Sequence, residues 1–103
     1  MAYASALTAL SDPTRRAIVE RLRIGPQNVA TLAGELPVSR PAVSQHLKVL
    51  SEAGLLRITP KGTSRIYRLA PEGLQELRDY LDKLWGDALS AFAQHVEKET
   101  KSD

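Results

Sequence analysis

From position 39 to 48 the chain reads Ser-Arg-Pro-Ala-Val-Ser-Gln-His-Leu-Lys, a stretch whose polar members would share one side of a helix. Arg40, Pro41, Ser44, Gln45 and Lys48 fall opposite Val43, Leu47 and Leu50, an apolar stripe at i, i+4 and i+7, and Ser39 stands just before them as a further candidate. Arginine can pair with guanine through two bonds, glutamine with adenine, and serine with a base or a phosphate. Lys61, Thr63 and Arg65 make a second basic group around Gly62, suited to phosphates and the adjoining minor groove. Any one of these side chains alone is equally well read as solvated and polar. The combination is what points to nucleic acid.

Other chemistry finds little support. The absence of cysteine removes disulfides, thiolate metal sites and thiol redox switches. There are two histidines, no Gly-x-Ser-x-Gly elbow, and no upstream glycine that would turn Lys61-Gly62-Thr63 into a phosphate loop. No enzyme and no cofactor are expected. His46 lies between the apolar stripe and the polar side. It could bond a phosphate or cap a neighbouring helix, and both readings stay open.

Charge is segregated along the chain. Its 103 residues carry a net charge of +2. Residues 15–68 hold ten bases against three acids, and residues 69–103 hold four bases against eight acids. A basic middle joined to an acidic end suggests that one segment meets a polyanion and the other does not. No apolar run approaches the roughly 18 residues of a membrane span. The start, MAYASALTALSD, has no basic n-region of a signal peptide. A cytoplasmic protein without a membrane partner is the expectation.

The elements that must hold these groups can be read from periodicity and punctuation. Residues 2–10 suggest a short helix with Tyr3, Leu7 and Leu10 on one face. Asp12 and Pro13 open a second helix that Gly25-Pro26 stops. A third spans about Val29 to Leu36, capped by Gln27 or Asn28, and a fourth runs from Arg40 to Ala53 with Ser39 as cap. Segments 55–59 and 64–69 alternate like strands about a turn at Pro60-Lys61-Gly62-Thr63. Pro71 opens a long helix to about Glu97, where Leu74, Leu77, Leu81, Leu84, Ala88 and Ala91 repeat at three and four. That seam is what a helix shows when it packs on a partner helix. Trp85, with Leu89 and Phe92, adds a second stripe, read as packing on the first helix or a partner, with a small-molecule pocket as the alternative.

One mainly α domain over 1–103 results: a helix-turn-helix at 28–54, a wing hairpin at 55–69, flanking helices at 1–10 and 71–97, and a frayed tail at 98–103. A winged helix-turn-helix fits these parts, because a major groove about 12 Å wide admits one helix. The competing function is a winged-helix protein-interaction module that has left DNA behind. Such a module tends to lose the basic residues that this chain keeps.

The strings ALSDPTRRAIVERL, LPVSRPAVSQHLKVLSEAGLL, KGTSRIYRLAPEGL and LDKLW resemble the arsenical-resistance repressor (ArsR) family of bacterial winged-helix regulators. The likeness runs from about Leu7 to Phe92. It implies a homodimeric repressor of a palindromic operator that dimerises through its first and last helices, with Tyr3, Leu7, Leu10, Leu74, Leu77, Leu81, Leu84, Trp85 and Ala88 at the interface. An inducer, small molecule or protein, would weaken operator binding. The family's metal boxes fare poorly in this chain. The cysteines of one fall on Asn28 and Ala30, and on the last helix Leu84 and Lys98 replace two of four ligands. Asp82, His95 and Glu99 remain as weak candidates for a nickel- or zinc-responsive variant. No metal is expected.

Overall fold

The computed structural model describes residues 2–101. Its elements follow in the order α1 (Ala2–Ala9), α2 (Pro13–Ile24), α3 (Val29–Glu35), α4 (Arg40–Glu52), β1 (Leu56–Lys61), β2 (Ser64–Leu69) and α5 (Pro71–Lys101). This is a winged helix-turn-helix, with α3 and α4 as the paired helices and the antiparallel hairpin as the wing.

The helices begin where a side chain can satisfy their free N–H groups. Asp12 accepts from the Arg15 N–H at 2.9 Å, Asn28 from Thr31 at 2.8 Å, and Ser39 from Ala42 at 3.3 Å. Gln27, the other residue offered for the α3 cap, does something else. It exchanges two backbone bonds with Tyr67, at 3.1 and 2.8 Å, and so ties β2 to the loop before α3. Beneath these joints Ile18, Leu32, Val43, Leu47 and Leu50 are fully buried, and Tyr67 closes the core from the wing. Each such side chain contributes about 1.5–3 kcal/mol by leaving water. The stripe of α4 is therefore fixed, and its polar side must face outward.

The wing turn is tighter than the sequence suggests. Lys61 pairs with Ser64, leaving only Gly62 and Thr63 between the strands. Gly62 has φ +62° and Thr63 does not share the positive φ, the arrangement of a II′ turn, whose twist matches the strands. Pro60, expected in the turn, instead lies in β1 opposite Arg65. A two-stranded ribbon tolerates it because both strands are edges.

The root of α5 is clamped to the corner between α4 and β1. The Ala70 N–H donates to the Leu55 carbonyl at 2.8 Å, and the Arg57 guanidinium grips the Glu72 carboxylate at 3.0 and 2.7 Å. A Cβ on Gly73 would overlap the Gly54 carbonyl, so this turn of α5 rests backbone to backbone on the corner. Packing of α1 on α5, including Tyr3 stacked on Tyr80 at 4.2 Å, covers the first turns.

Leu77 is buried within the protomer and Leu74 packs on its core, as does Leu10. At these three positions of the expected seam, α1 and the α4–β1 corner already cover part of the stripe within the protomer. Beyond Leu81 the helix leaves the body. A helix of 31 residues is about 46 Å long, and the molecule measures 70 × 26 × 23 Å. The helix also passes Glu97 and runs through Lys101. Residues 98–101 are thus helical where a frayed tail was expected, supported by the His95–Glu99 contact at 3.0 Å one turn apart. Ser102 and Asp103 lie outside the described residues.

Candidate nucleic-acid interface

With Val43, Leu47 and Leu50 buried, α4 exposes Arg40, Pro41, Ser44, Gln45 and Lys48. The wing stands beside this face, and two hollows lie between them. A groove of about 380 Å³ brings Ser44, Gln45 and Lys48 together with Arg65, Ile58 and Glu52. A cleft of about 220 Å³ at the other end brings Arg40 together with Thr63, Ser64, Arg65 and Asn28. Arg65 lines both. Lys61 and Pro41 line neither, Lys61 lying exposed at the wing tip.

Two predicted site residues are engaged otherwise. Ser39 spends its hydroxyl oxygen on capping α4. His46 turns inward: its side chain is 21% exposed, with Nδ1 at 3.4 Å from Arg15 Nη1 and 4.0 Å from Asp12 Oδ2. Arg15 also donates from Nε to the Ala9 carbonyl at 2.6 Å, joining the end of α1, the start of α2 and α4. Of the two readings open for His46, this geometry matches the neighbouring-helix one. Its Asp12 partner is held below the ordinary carboxylate range chiefly by the Arg15 N–H.

Electrostatics separates the face from the rest of the surface. Arg21, Arg23 and Arg57 are neutralised by Glu35, Glu20 and Glu72. Arg40, Lys48, Lys61 and Arg65 have no ion pair among the described residues. Four exposed cations of α4 and the wing are thus left without an ion pair, and there an external polyanion can supply the counter-charge.

Of the metal candidates, His95 and Glu99 meet at 3.0 Å, and Asp82 stands apart from them. Asp82 precedes His95 by thirteen positions on the same helix, about 20 Å along the axis. It sits 3.7 Å from Arg78. Among the described residues no three histidines or carboxylates cluster as a metal site would require. No helix among them is long and apolar enough to cross a membrane.

A family model described as a helix-turn-helix domain matches residues 10–59, from the end of α1 into β1. The HTH-type transcriptional regulator Rv2034 of Mycobacterium tuberculosis is 58% identical over 91 residues, which cover 88% of this chain and 85% of that protein. The solved ArsR-like transcriptional regulator from Rhodococcus sp. RHA1 aligns with a TM-score of 0.77 at 34% identity, over 90% of this chain and 91% of that one. The chain belongs to the ArsR family. It is a helix-turn-helix transcriptional regulator that binds DNA, from a family of regulators rather than enzymes. The transcriptional repressor SdpR of Bacillus subtilis is a further relative, 35% identical over 68 residues, or 66% of this chain and 76% of that protein.

Sequence reasoning missed the residues that position this ArsR-family interface without belonging to it. Gln27, Arg15, Glu72 and Gly73 each act on a partner far along the chain. Only Gly73 leaves a trace in the sequence, as a glycine inside the first turns of an otherwise strong helix.

Proposed function

We propose that this ArsR-family protein is a homodimeric repressor of a palindromic operator, reading bases with α4 and the backbone with the wing. One observation carries the reading: Arg40, Lys48 and Arg65, without an ion pair among the described residues, line the hollows between α4 and the wing with the exposed Ser44 and Gln45, and Lys61 stands at the wing tip. Ser39, Pro41 and Thr63 border that face, while His46 supports it from behind. Dimerisation follows from the other side of the molecule. Leu7, Leu81, Leu84, Trp85 and Phe92 are exposed apolar side chains on α1 and α5, and Ala88 lies among them. A run this long invites a second copy. An effector, small molecule or protein, would act by changing how the two copies present their α4 helices.

Footprinting on the promoter of the chain's own gene, with sedimentation at micromolar concentration, tests this. Inverted half-sites roughly one helical turn apart, or a multiple of it, are expected, on a dimer that Leu81→Glu splits by placing an unpaired charge in the interface. A folded monomer at that concentration, or protection without inverted symmetry, counts against the proposal. Stoichiometric nickel or zinc should leave operator affinity unchanged. A tenfold weakening by either would move attention to Asp82, His95 and Glu99.

A further inference from the structure

The two hollows between α4 and the wing differ in chemistry. The groove at Gln45 mixes donors and acceptors, with Glu52 and the apolar Ile58 among its walls. Base edges need such a mixture, since they present acceptors, donors and a methyl group. The cleft at Arg40 is different. Its polar side chains are two arginines, the hydroxyls of Thr63 and Ser64, the phenol of Tyr67 and the amide of Asn28. No carboxylate lines it, and the Asn28 oxygen is already taken by the Thr31 N–H, which leaves the NH2 group to offer.

Two guanidinium groups held around one hollow repel each other unless an anion sits between them. Neither Arg40 nor Arg65 has an ion pair among the described residues to supply that charge. Their planar forks match phosphate oxygens, and hydroxyl and amide donors complete such a shell. Arg65 also has a fixed place. Its strand is held to the body by the Gln27–Tyr67 bonds two residues away, and Arg40 is the first residue of α4.

We propose that the cleft seats one phosphodiester of the operator backbone in each half-site, gripped jointly by Arg40 and Arg65. Arg40 then sets the register of α4 along the groove rather than reading a base. This rests on the DNA-binding reading above and assigns a different role to a residue that the sequence places at base edges.

The test uses Arg40→Ala, Arg65→Ala, the double variant and Arg40→Lys, each titrated with operator and random duplexes at two salt concentrations. Both arginines are exposed, so an unchanged thermal midpoint is the control for folding. Each alanine variant should lose roughly tenfold per half-site on both duplexes, as for one charge-assisted contact in each protomer. The salt slope should fall by about one per half-site, or about two for the dimer. The double variant should be little worse than the weaker single one, with the slope reduced by the same amount, because the same phosphate in each half-site is lost in each case. Arg40→Lys should keep the slope and lose part of the affinity. A neutral methylphosphonate at one position per half-site should copy the alanine loss and erase the difference between the natural protein and Arg40→Ala.

Additive losses with a slope reduced by about two per half-site, or about four for the dimer, would mean two separate phosphates and overturn the shared seat. Loss on the operator alone would return Arg40 to base reading. Inorganic phosphate should displace DNA no better than chloride of equal ionic strength. Displacement by phosphate that disappears in Arg40→Ala would assign the cleft to a free anion instead. A natural protein that binds neither duplex would instead refute the DNA-binding reading on which the seat depends.

Discussion

Two amphipathic helices of this protein carry similar apolar stripes and meet opposite fates. In α4, Val43, Leu47 and Leu50 are completely buried by α2, α3 and the wing base. In α5 the stripe is covered only up to Leu77, and from Leu81 onward it is bare, with Trp85 67% and Phe92 65% exposed. Periodicity announces that a face needs cover and is silent on where the cover comes from. The polar sides differ too. The cations of α4 stand unpaired, whereas α5 bonds Arg78 to Asp82 and Gln75 to Asp79 within its own surface. One helix keeps its apolar face at home and offers its charge to another molecule. The other mixes acids and bases along its polar side and offers its apolar face.

The sharpest way to break this comparison is to truncate one residue from each stripe. Leu47→Ala should lower stability by about 2–5 kcal/mol at any protein concentration, since it opens a cavity in a closed core. Phe92→Ala should change the isolated protomer by less than about 0.5 kcal/mol, as exposed substitutions do. Its cost should appear only where copies associate, as a smaller dependence of the unfolding midpoint on concentration. Urea denaturation at nanomolar and at tens of micromolar protein distinguishes the two. If Phe92→Ala costs as much as Leu47→Ala under dilute conditions, the distal half of α5 is covered by its own chain.

Within α5 itself, glycine separates the clamped root from the free end. Gly73→Ala puts a methyl group against the Gly54 carbonyl and should cost about 1–3 kcal/mol through displaced backbone. Gly54 itself needs φ +80° and cannot easily yield. Gly86 has open space around its Cβ position, so Gly86→Ala should stabilise the helix by about 0.5–1 kcal/mol. Thermal melts of the two variants should therefore move in opposite directions. Equal losses would mean that Gly86 lies at a tight contact between copies.

The local half of this architecture was legible because its signals are local. Asp12-Pro13, Ser39 and the α4 stripe announce their helices within a few residues, and Gly62 announces the turn. What stayed hidden joins residues far apart. Arg15 meets His46 across 31 positions, and Arg57 meets Glu72 across 15. Gln27 pairs with Tyr67 as a single bridge, too short to leave a pattern. The division of the α5 stripe at Leu77 depends on where α1 lies. Nothing in the spacing of Leu74, Leu77, Leu81 and Leu84 marks that boundary.

The smallest expected effect compares the two joints by their acids. Asp12 at the α1–α2 joint is held below its ordinary 3.8, first by the Arg15 backbone N–H and then by nearby positive charge. Glu72 at the root of α5 is held below its ordinary 4.5 by its own backbone N–H in the first helical turn, then by the Arg57 side chain. Both carboxyls therefore bind protons more readily in the unfolded chain than in the folded one. Stability then rises with pH across the window where unfolded carboxyls ionise first. The contribution is complete above about pH 5 and drains away as pH falls through the lowered values of the folded state. Both groups are open to solvent, which keeps the effect modest. Asp12→Asn and Glu72→Gln should each flatten part of the acid limb between pH 5 and 3 while leaving the limb above pH 5 parallel to that of the natural protein. Asparagine still caps α2, so Asp12→Asn tests the charge rather than the helix start. Thermal midpoints at half-unit steps provide the measurement. An acid limb that stays equally steep in both variants would show that the charge on these two acids is irrelevant to the joints, and that the backbone contacts at Gly73 and Ala70 hold α5 without them.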